Sequence, residues 1–171
     1  MVDLALPSGN KWAGSGEKKL TKYCLSNRPE YWAGDGEPDN IQELYDVDDA
    51  VIACWGGSWT MPSTEDCEEL ALHCQWIWID DYKDTGVHGF LVEGTNKSSI
   101  FLPAGGYVND FGCPTQMNLR GYYWTTKLAA NPTTAVVLDF YDGIIGGVGN
   151  TDQTQSRIMG ALIRPVCKAQ E

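Results

Sequence analysis

The stretch WGGSWTMPSTEDCEELALHCQWIW, residues 55–78, constrains the fold more than any other part of the chain. Pro62 cannot continue a helix arriving from upstream, whereas Ser63 and Thr64 each offer a side-chain oxygen to the unpaired N–H groups of a new first turn. A helix is therefore predicted to begin at Ser63 or Thr64. Glu65, Asp66, Glu68 and Glu69 put negative charge at its N-terminal end, where the peptide dipoles favour it. Cys67, Leu70, Ala71 and Cys74 recur at i, i+3, i+4 and i+7, which makes one apolar face for a core. Glu68, Glu69 and His73 look elsewhere. The WIWIDDY run that follows is β-branched and aromatic, as a strand would be.

Further anchors lie along the chain: VDLALPSGNKWA at 2–13, SIFLPAGGY at 99–107, GYYW at 121–124 and GALIRPV at 160–166. Together with the W-G-G-x-W-x-M-P-S-x-acidic-acidic motif and the C-x-W-x-W that follows, this order resembles bacterial domains of the C-type-lectin-like fold. In particular it resembles relatives of formylglycine-generating enzymes and a Bacteroidales paralogous-domain group. The resemblance implies a single α+β domain over residues 1–171. In it, two helices lie against a twisted, mainly antiparallel sheet with long loops, and the N-terminal strand pairs with a closing strand at Ala161–Val166. Function does not follow from fold, because it belongs to the site grafted on it.

Between these anchors, residues 14–43 are polar and broken by Pro29 and Pro38, so a loop region is predicted, fastened by Tyr23, Tyr31 and Trp32. DDAVIACWG reads as a short helix capped by Asp46 or Asp48 and closed by Gly56-Gly57, with Ala50, Ala53 and Cys54 inward. HGFLVEGTNKSSIFLP reads as two strands about a turn at Gly94–Lys97, with Phe90, Val92, Ile100 and Leu102 inward. TAVVLDFY is a further strand. The glycines between Gly143 and Gly160 exclude helix and permit close backbone turns.

Charge narrows the partners. With 23 acidic against 12 basic side chains the formal charge is −11, so a nucleic-acid backbone or an anionic lipid surface would be repelled over most orientations. No apolar run reaches transmembrane length, so no membrane insertion is expected. The start MVDLALPSGN has no basic leader region; either the protein is cytoplasmic or a leader has been removed. The families it resembles favour a cell surface or a phage particle.

Metal and catalytic chemistry are sparse. The six cysteines, at 24, 54, 67, 74, 113 and 167, allow fifteen connectivities. Cys67 and Cys74 lie roughly 10 Å apart along one helix face, too far to bridge each other, and read as small buried hydrophobes. There is no C-x-x-C pair for zinc and no EF-hand loop for calcium. The E-P-N, Q-P-D and W-N-D signatures of calcium-dependent sugar binding are missing too. Neither His73 nor His88 comes with a nucleophile in a recognisable elbow. No metal and no cofactor are therefore predicted. The formylglycine-generating relatives use a late cysteine pair with copper; only Cys113 and Cys167 fall late here, with 53 residues between them. That oxidoreductase is the alternative reading, and a structural subunit of a surface appendage is a third.

The reading with most support is a non-enzymatic binding module. RIMGALIRPV at 157–166 resembles the closing strand of variable proteins of diversity-generating retroelements from gut bacteria and phages, which display variable residues just before it. The resemblance implies a loop surface over about residues 107–157 that meets a protein or cell-surface glycan. Tyr107, Tyr122, Trp124 and Tyr141 would supply stiff aromatic area. Asn109, Thr126, Asp139, Asp142, Asn150, Asp152 and Arg157 would supply polar contacts. Ile144 and Ile145 would be apolar contacts within a glycine-rich segment. Trp124 reads at least as well as a core aromatic.

Overall fold

The computed structural model describes residues 20–109, 111–147 and 153–167. Over these residues the fold is mixed α+β, mostly antiparallel, with two α-helices and no barrel. The opening strand expected at residues 2–13, and hence its pairing with the closing strand, lies outside the described residues.

The loop region before the first helix is held by side-chain oxygens. Asp39 accepts from the N–H groups of Tyr23 and Cys24 at 2.7 and 2.9 Å. The buried Tyr23 donates its hydroxyl to Asp48 and accepts the Tyr45 N–H at 3.1 Å. Tyr23 is thus the principal fastener, while Tyr31 and Trp32 are only half-buried.

Helix α1 (Ala50–Trp55) is capped by Asp49, one residue later than expected. Asp48 is already engaged by Lys22 and Tyr23, and residues 46–48 form a 3-10 turn. One residue of offset turns a helix face by about 100°. Val51 is accordingly the buried residue, and Ala53 and Cys54, expected inward, are exposed. One Asp49 oxygen accepts from Val51 and Ile52 at 2.7 and 3.1 Å, and the other takes the N–H of buried Met61 at 2.8 Å. Asp49→Ala removes a cap and strands a buried donor, so a loss of about 2–3 kcal/mol is expected in a urea melt.

Strand β1 (Trp59–Thr60) leads into α2 (Thr64–His73). Ser63 and Asp66 form the predicted start as a reciprocal box: Ser63 Oγ accepts the Asp66 N–H at 3.1 Å, and Asp66 accepts the Ser63 N–H at 2.8 Å. Cys67 is buried and Leu70 and Cys74 pack beside it, as the spacing required. Strands β2 (Gln75–Ile79), β3 (Gly89–Glu93) and β4 (Ser99–Pro103) form an antiparallel meander in which Phe90 faces Leu102 and Val92 faces Ile100. These are the expected inward residues; Ile100 remains half-buried.

A short hairpin, β5 (Tyr107–Val108) with β6 (Pro114–Thr115), precedes the central ladder of β7 (Arg120–Leu128) and β8 (Thr134–Tyr141). The other edge of β8 carries two strands in tandem: β9 (Ile144–Gly147) near Tyr141 and β10 (Thr154–Ser156) near Thr134. The register of β7 slips between Trp124 and Leu128, where Trp124 faces Val137 but Leu128 faces Ala135. The freed backbone of this bulge pairs elsewhere: Thr126 N–H donates to Pro62, Leu44 N–H to Thr126, and Leu128 N–H to Gln42.

The expected closing strand at Ala161–Val166 is not one over that range. Leu162 makes a parallel bridge to Tyr123, and only β11 (Val166–Cys167) is a strand, paired with β1. Among the described residues the strands fall into four small sheets instead of the expected single one. Alternation along β7 and β8 divides the core. Tyr122, Trp124, Ala135 and Val137 join Tyr23, Val51 and Met61 on one side, and Tyr123, Leu138 and Phe140 join Cys67, Phe90 and Leu102 on the other.

No bridge joins Cys24, Cys54, Cys67, Cys74 or Cys113. Burial pushes the Cys67 thiol up to about 12, with Asp66, Glu65 and Glu68 acting in the same direction. Because the native state favours the neutral thiol, its contribution to stability is complete below pH 9.0 and is lost between there and about 12. Alkylation at pH 8 followed by peptide mass spectrometry should modify the exposed Cys54 and Cys113 and spare Cys67 until the chain unfolds.

Candidate functional site

Part of the sequence-predicted set, Tyr122, Asp139 and Tyr141, meets at one end of the β7–β8 ladder, around an arginine that sequence reasoning passed over. Arg120 opens β7 opposite Tyr141, and Tyr122 lies opposite Asp139. Side chains on alternate positions share a face, so Arg120, Tyr122, Asp139 and Tyr141 converge. Arg120 Nε donates to Asp139 Oδ1 at 2.7 Å, and Nη2 donates to Oδ2, a bidentate fork. Its guanidinium carbon lies 5.1 Å from the ring centres of both Tyr122 and Tyr141. The Asp139 carboxylate raises the Arg120 pKa above its ordinary value. Burial pushes the Tyr122 phenol up to about 12, so it stays a neutral donor, bonded to Gln116 Oε1 at 2.9 Å. Tyr107 meets Tyr122 edge-on at 5.3 Å and 87°.

The 109–119 loop is moored to this end by its backbone. Gly106 N–H donates to Arg120 at 2.8 Å, and the N–H groups of Leu119 and Arg120 both donate to Gln116 at 3.1 Å. Asn109 shapes the loop tip, its side-chain oxygen accepting from Phe111 and Cys113 at 3.0 Å each. Phe111, Leu119 and Met117 stand in solvent at 84, 67 and 60 % exposure. Across the ladder end, Tyr141 and Ile144 are also exposed.

The predicted set divides by depth. Tyr141, Asp142 and Ile144 are exposed; Tyr107, Asn109 and Ile145 are half-buried, with Ile145 packed against the second core cluster. Tyr122 and Asp139 are buried and support Arg120 and Tyr141 from below. Trp124 is fully buried, in line with its core reading and not with a contact role, because it points into the cluster that Met61 and Val137 complete. Thr126 lies six residues along β7 from Arg120, roughly 20 Å away, and bonds Glu43 at 2.6 Å. Arg157 is a correction too: it is buried, and its Nη1 donates to the carbonyls of Pro132 and Tyr23 at 2.8 and 3.1 Å. Among the described residues no other hydrogen bond is shown to these two carbonyls, and a buried guanidinium satisfies both. Asn150 and Asp152 lie outside the described residues.

Sequence reasoning missed Arg120, Gln116, Phe111, Met117 and Leu119. The register signal for Arg120 was present, since RGYYW and LDFY place it two positions from Tyr122 on the same face. Among the described residues, no group of three or more His, Cys, Asp and Glu side chains is placed to hold a metal ion, and no helix is long and apolar enough to cross a membrane. The arrangement sets the half-buried Arg120 guanidinium between the rings of Tyr122 and Tyr141, with Tyr141 exposed. No protein-family model, curated protein or solved structure matches this chain.

Proposed function

We propose that the chain is a non-enzymatic binding module of C-type-lectin-like architecture whose recognition surface is the Arg120 end of the β7–β8 ladder. Its partner is a protein or cell-surface glycan, met at a bacterial surface or on a phage particle. The observation that carries this reading is the Arg120 guanidinium held between Tyr122 and the exposed Tyr141, with Leu119 and Ile144 exposed next to them in the chain and the ladder, while the remaining ladder side chains are largely buried. Exposed apolar groups gathered at one end, with a Tyr-Arg-Tyr stack among them, have the composition of interface anchors. The braced Arg120 loses little freedom on contact, which favours affinity. Motif resemblance supports the further reading as a variable protein of a diversity-generating retroelement, with exchange of residues near 107–157.

The test uses fluorescently labelled chain on intact gut-bacterial cells and on a glycan array. A Tyr141→Ala/Ile144→Ser double variant should bind at least tenfold more weakly, the scale of one or two lost anchors. Leu72→Ser, an exposed change on α2, should bind like the parent, and a chelator should change nothing. Equal binding by the double variant and the parent would sink the proposed surface. Sequencing the flanking DNA for a reverse transcriptase and a template copy of the 107–157 codons tests the retroelement reading separately. Copper-dependent oxygen consumption that disappears in Cys113→Ser would instead favour the oxidoreductase.

A further inference from the structure

A second concavity lies away from the Arg120 end, between α2, β4, the β7–β8 ladder and residues 164–166. It is a cleft of about 200 Å³ with apolar walls that include Cys67, Leu70, Ile100, Leu102, Leu138 and Val166. Its size is informative. An apolar cavity of about 150 Å³ holds a benzene molecule, whereas drug-sized ligands need about 300–1,000 Å³. A single branched aliphatic or small aromatic group fits; a lipid tail does not.

Polar groups are few. The Tyr123 hydroxyl is already spent on the Pro103 carbonyl at 2.8 Å. Among the described residues two charged side chains line the cleft, Asp66 and Arg164, of opposite sign. They do not form an ion pair with each other. Asp66 uses Oδ2 for the Ser63 N–H and hydroxyl, both at 2.8 Å, and its Oδ1 accepts nothing among the described residues. Arg164 is exposed and has no hydrogen-bond or ionic partner among the described residues. An apolar hole bordered by one unengaged carboxylate oxygen and one unengaged guanidinium is complementary to a molecule with an apolar body and both charges on its head. A simple fatty acid would leave Asp66 facing a like charge, and a simple amine would do the same to Arg164.

We infer that this cleft binds a free apolar α-amino acid of the leucine class, its side chain among Leu70, Ile100 and Leu138, its carboxylate on Arg164 and its ammonium on Asp66 Oδ1. This site is independent of the Arg120 surface and would serve as a small-molecule sensor or a stabilising ligand site on the same scaffold. Ligand binding to the native state alone also raises the melting temperature by mass action.

The test is a methyl NMR titration of the full chain with L-leucine, 4-methylpentanoate and 3-methylbutylamine. Leucine should shift the methyls of Leu70, Ile100 and Leu102 and bind at least tenfold tighter than either singly charged analogue. Arg164→Gln should abolish the advantage of leucine over the amine. Asp66→Asn keeps an acceptor for the Ser63 N–H, so α2 keeps its start, and should abolish the advantage over the acid. Ile100→Phe, which fills the cleft, should remove binding while a thermal melt shows the fold intact. Unmoved methyls at about 10 mM leucine, well above the ~1 mM dissociation constant of a minimal site, would overturn the inference. Equal affinity for leucine and 4-methylpentanoate, unchanged in Asp66→Asn, would overturn it as well, leaving an apolar-acid site.

Discussion

Arg157→Ala is expected to cost about 3–5 kcal/mol, a large share of the 5–15 kcal/mol by which native domains are stable. The guanidinium is buried and ties the 22–23 segment to the turn before β8, donating to Pro132 and Tyr23 and reaching the Lys22 carbonyl at 3.5 Å. Its ring contact with Tyr23, 6.0 Å to the centroid, adds packing that alanine cannot replace. Truncation leaves buried acceptors unmet, at about 1–3 kcal/mol each, and opens a cavity besides. Chemical denaturation checks the value. Parent-like stability in Arg157→Ala would return this residue to the candidate contacts and contradict its structural role.

Gly106→Ala should cost about 2–5 kcal/mol and disturb the recognition end selectively. Gly106 has a φ of +61°, and an added Cβ would lie 2.0 Å from the Thr115 carbonyl oxygen and 2.8 Å from the backbone of residues 116 and 117. The left-handed conformation costs an L-residue about 1–2 kcal/mol, and overpacking adds about 1–3. The obstructing atoms are main chain, so no rotamer change relieves them. The displaced segment is the one that carries Gln116, Met117 and Leu119 beside Arg120. Urea denaturation gives the cost, and amide shifts confined to residues 104–122 in a folded sample would show where it falls. A stable variant with an unperturbed 104–122 spectrum would refute the close approach.

Local chemistry was legible where one residue type has one good place to go. Pro62 followed by Ser63 and Thr64 announced the start of α2, because a helix cannot run through the proline and a hydroxyl just after it meets the first-turn donors, and Cys67 with Leu70 declared its inner face. Gly94–Lys97 marked the turn between β3 and β4, where Lys97 N–H returns to the Gly94 carbonyl at 3.0 Å. The cap of α1 was off by one residue, since three aspartates crowd 46–49 and only tertiary partners decide among them. Those partners, Tyr23, Lys22 and Met61, come from distant sequence.

The site was harder to read for a related reason. Tyr141 and Ile144 flank a tight turn and were recognisable as exposed, but Asp139 looked like a surface carboxylate until cross-strand register set Arg120 beside it. β9 was hidden because backbone pairing, not side-chain pattern, makes Ile144–Gly147 a strand. The inward path of Arg157 left no trace in local sequence, because the carbonyls that attract it belong to residues 22, 23 and 132. Resemblance to variable proteins drew the eye to the Arg157–Val166 segment as the edge of a display surface, whereas in this chain Arg157 acts from beneath.

Tyr123 and Trp124 are consecutive residues whose rings enter opposite halves of the core. A single two-strand partition therefore roofs one room and floors the other, and neither half has a private wall to keep when its neighbour melts. Both should lose protection in the same opening event: deuterium uptake at the amides of Val51 and Phe90, far apart and in different halves, should report the same free energy, and heating should trace one transition.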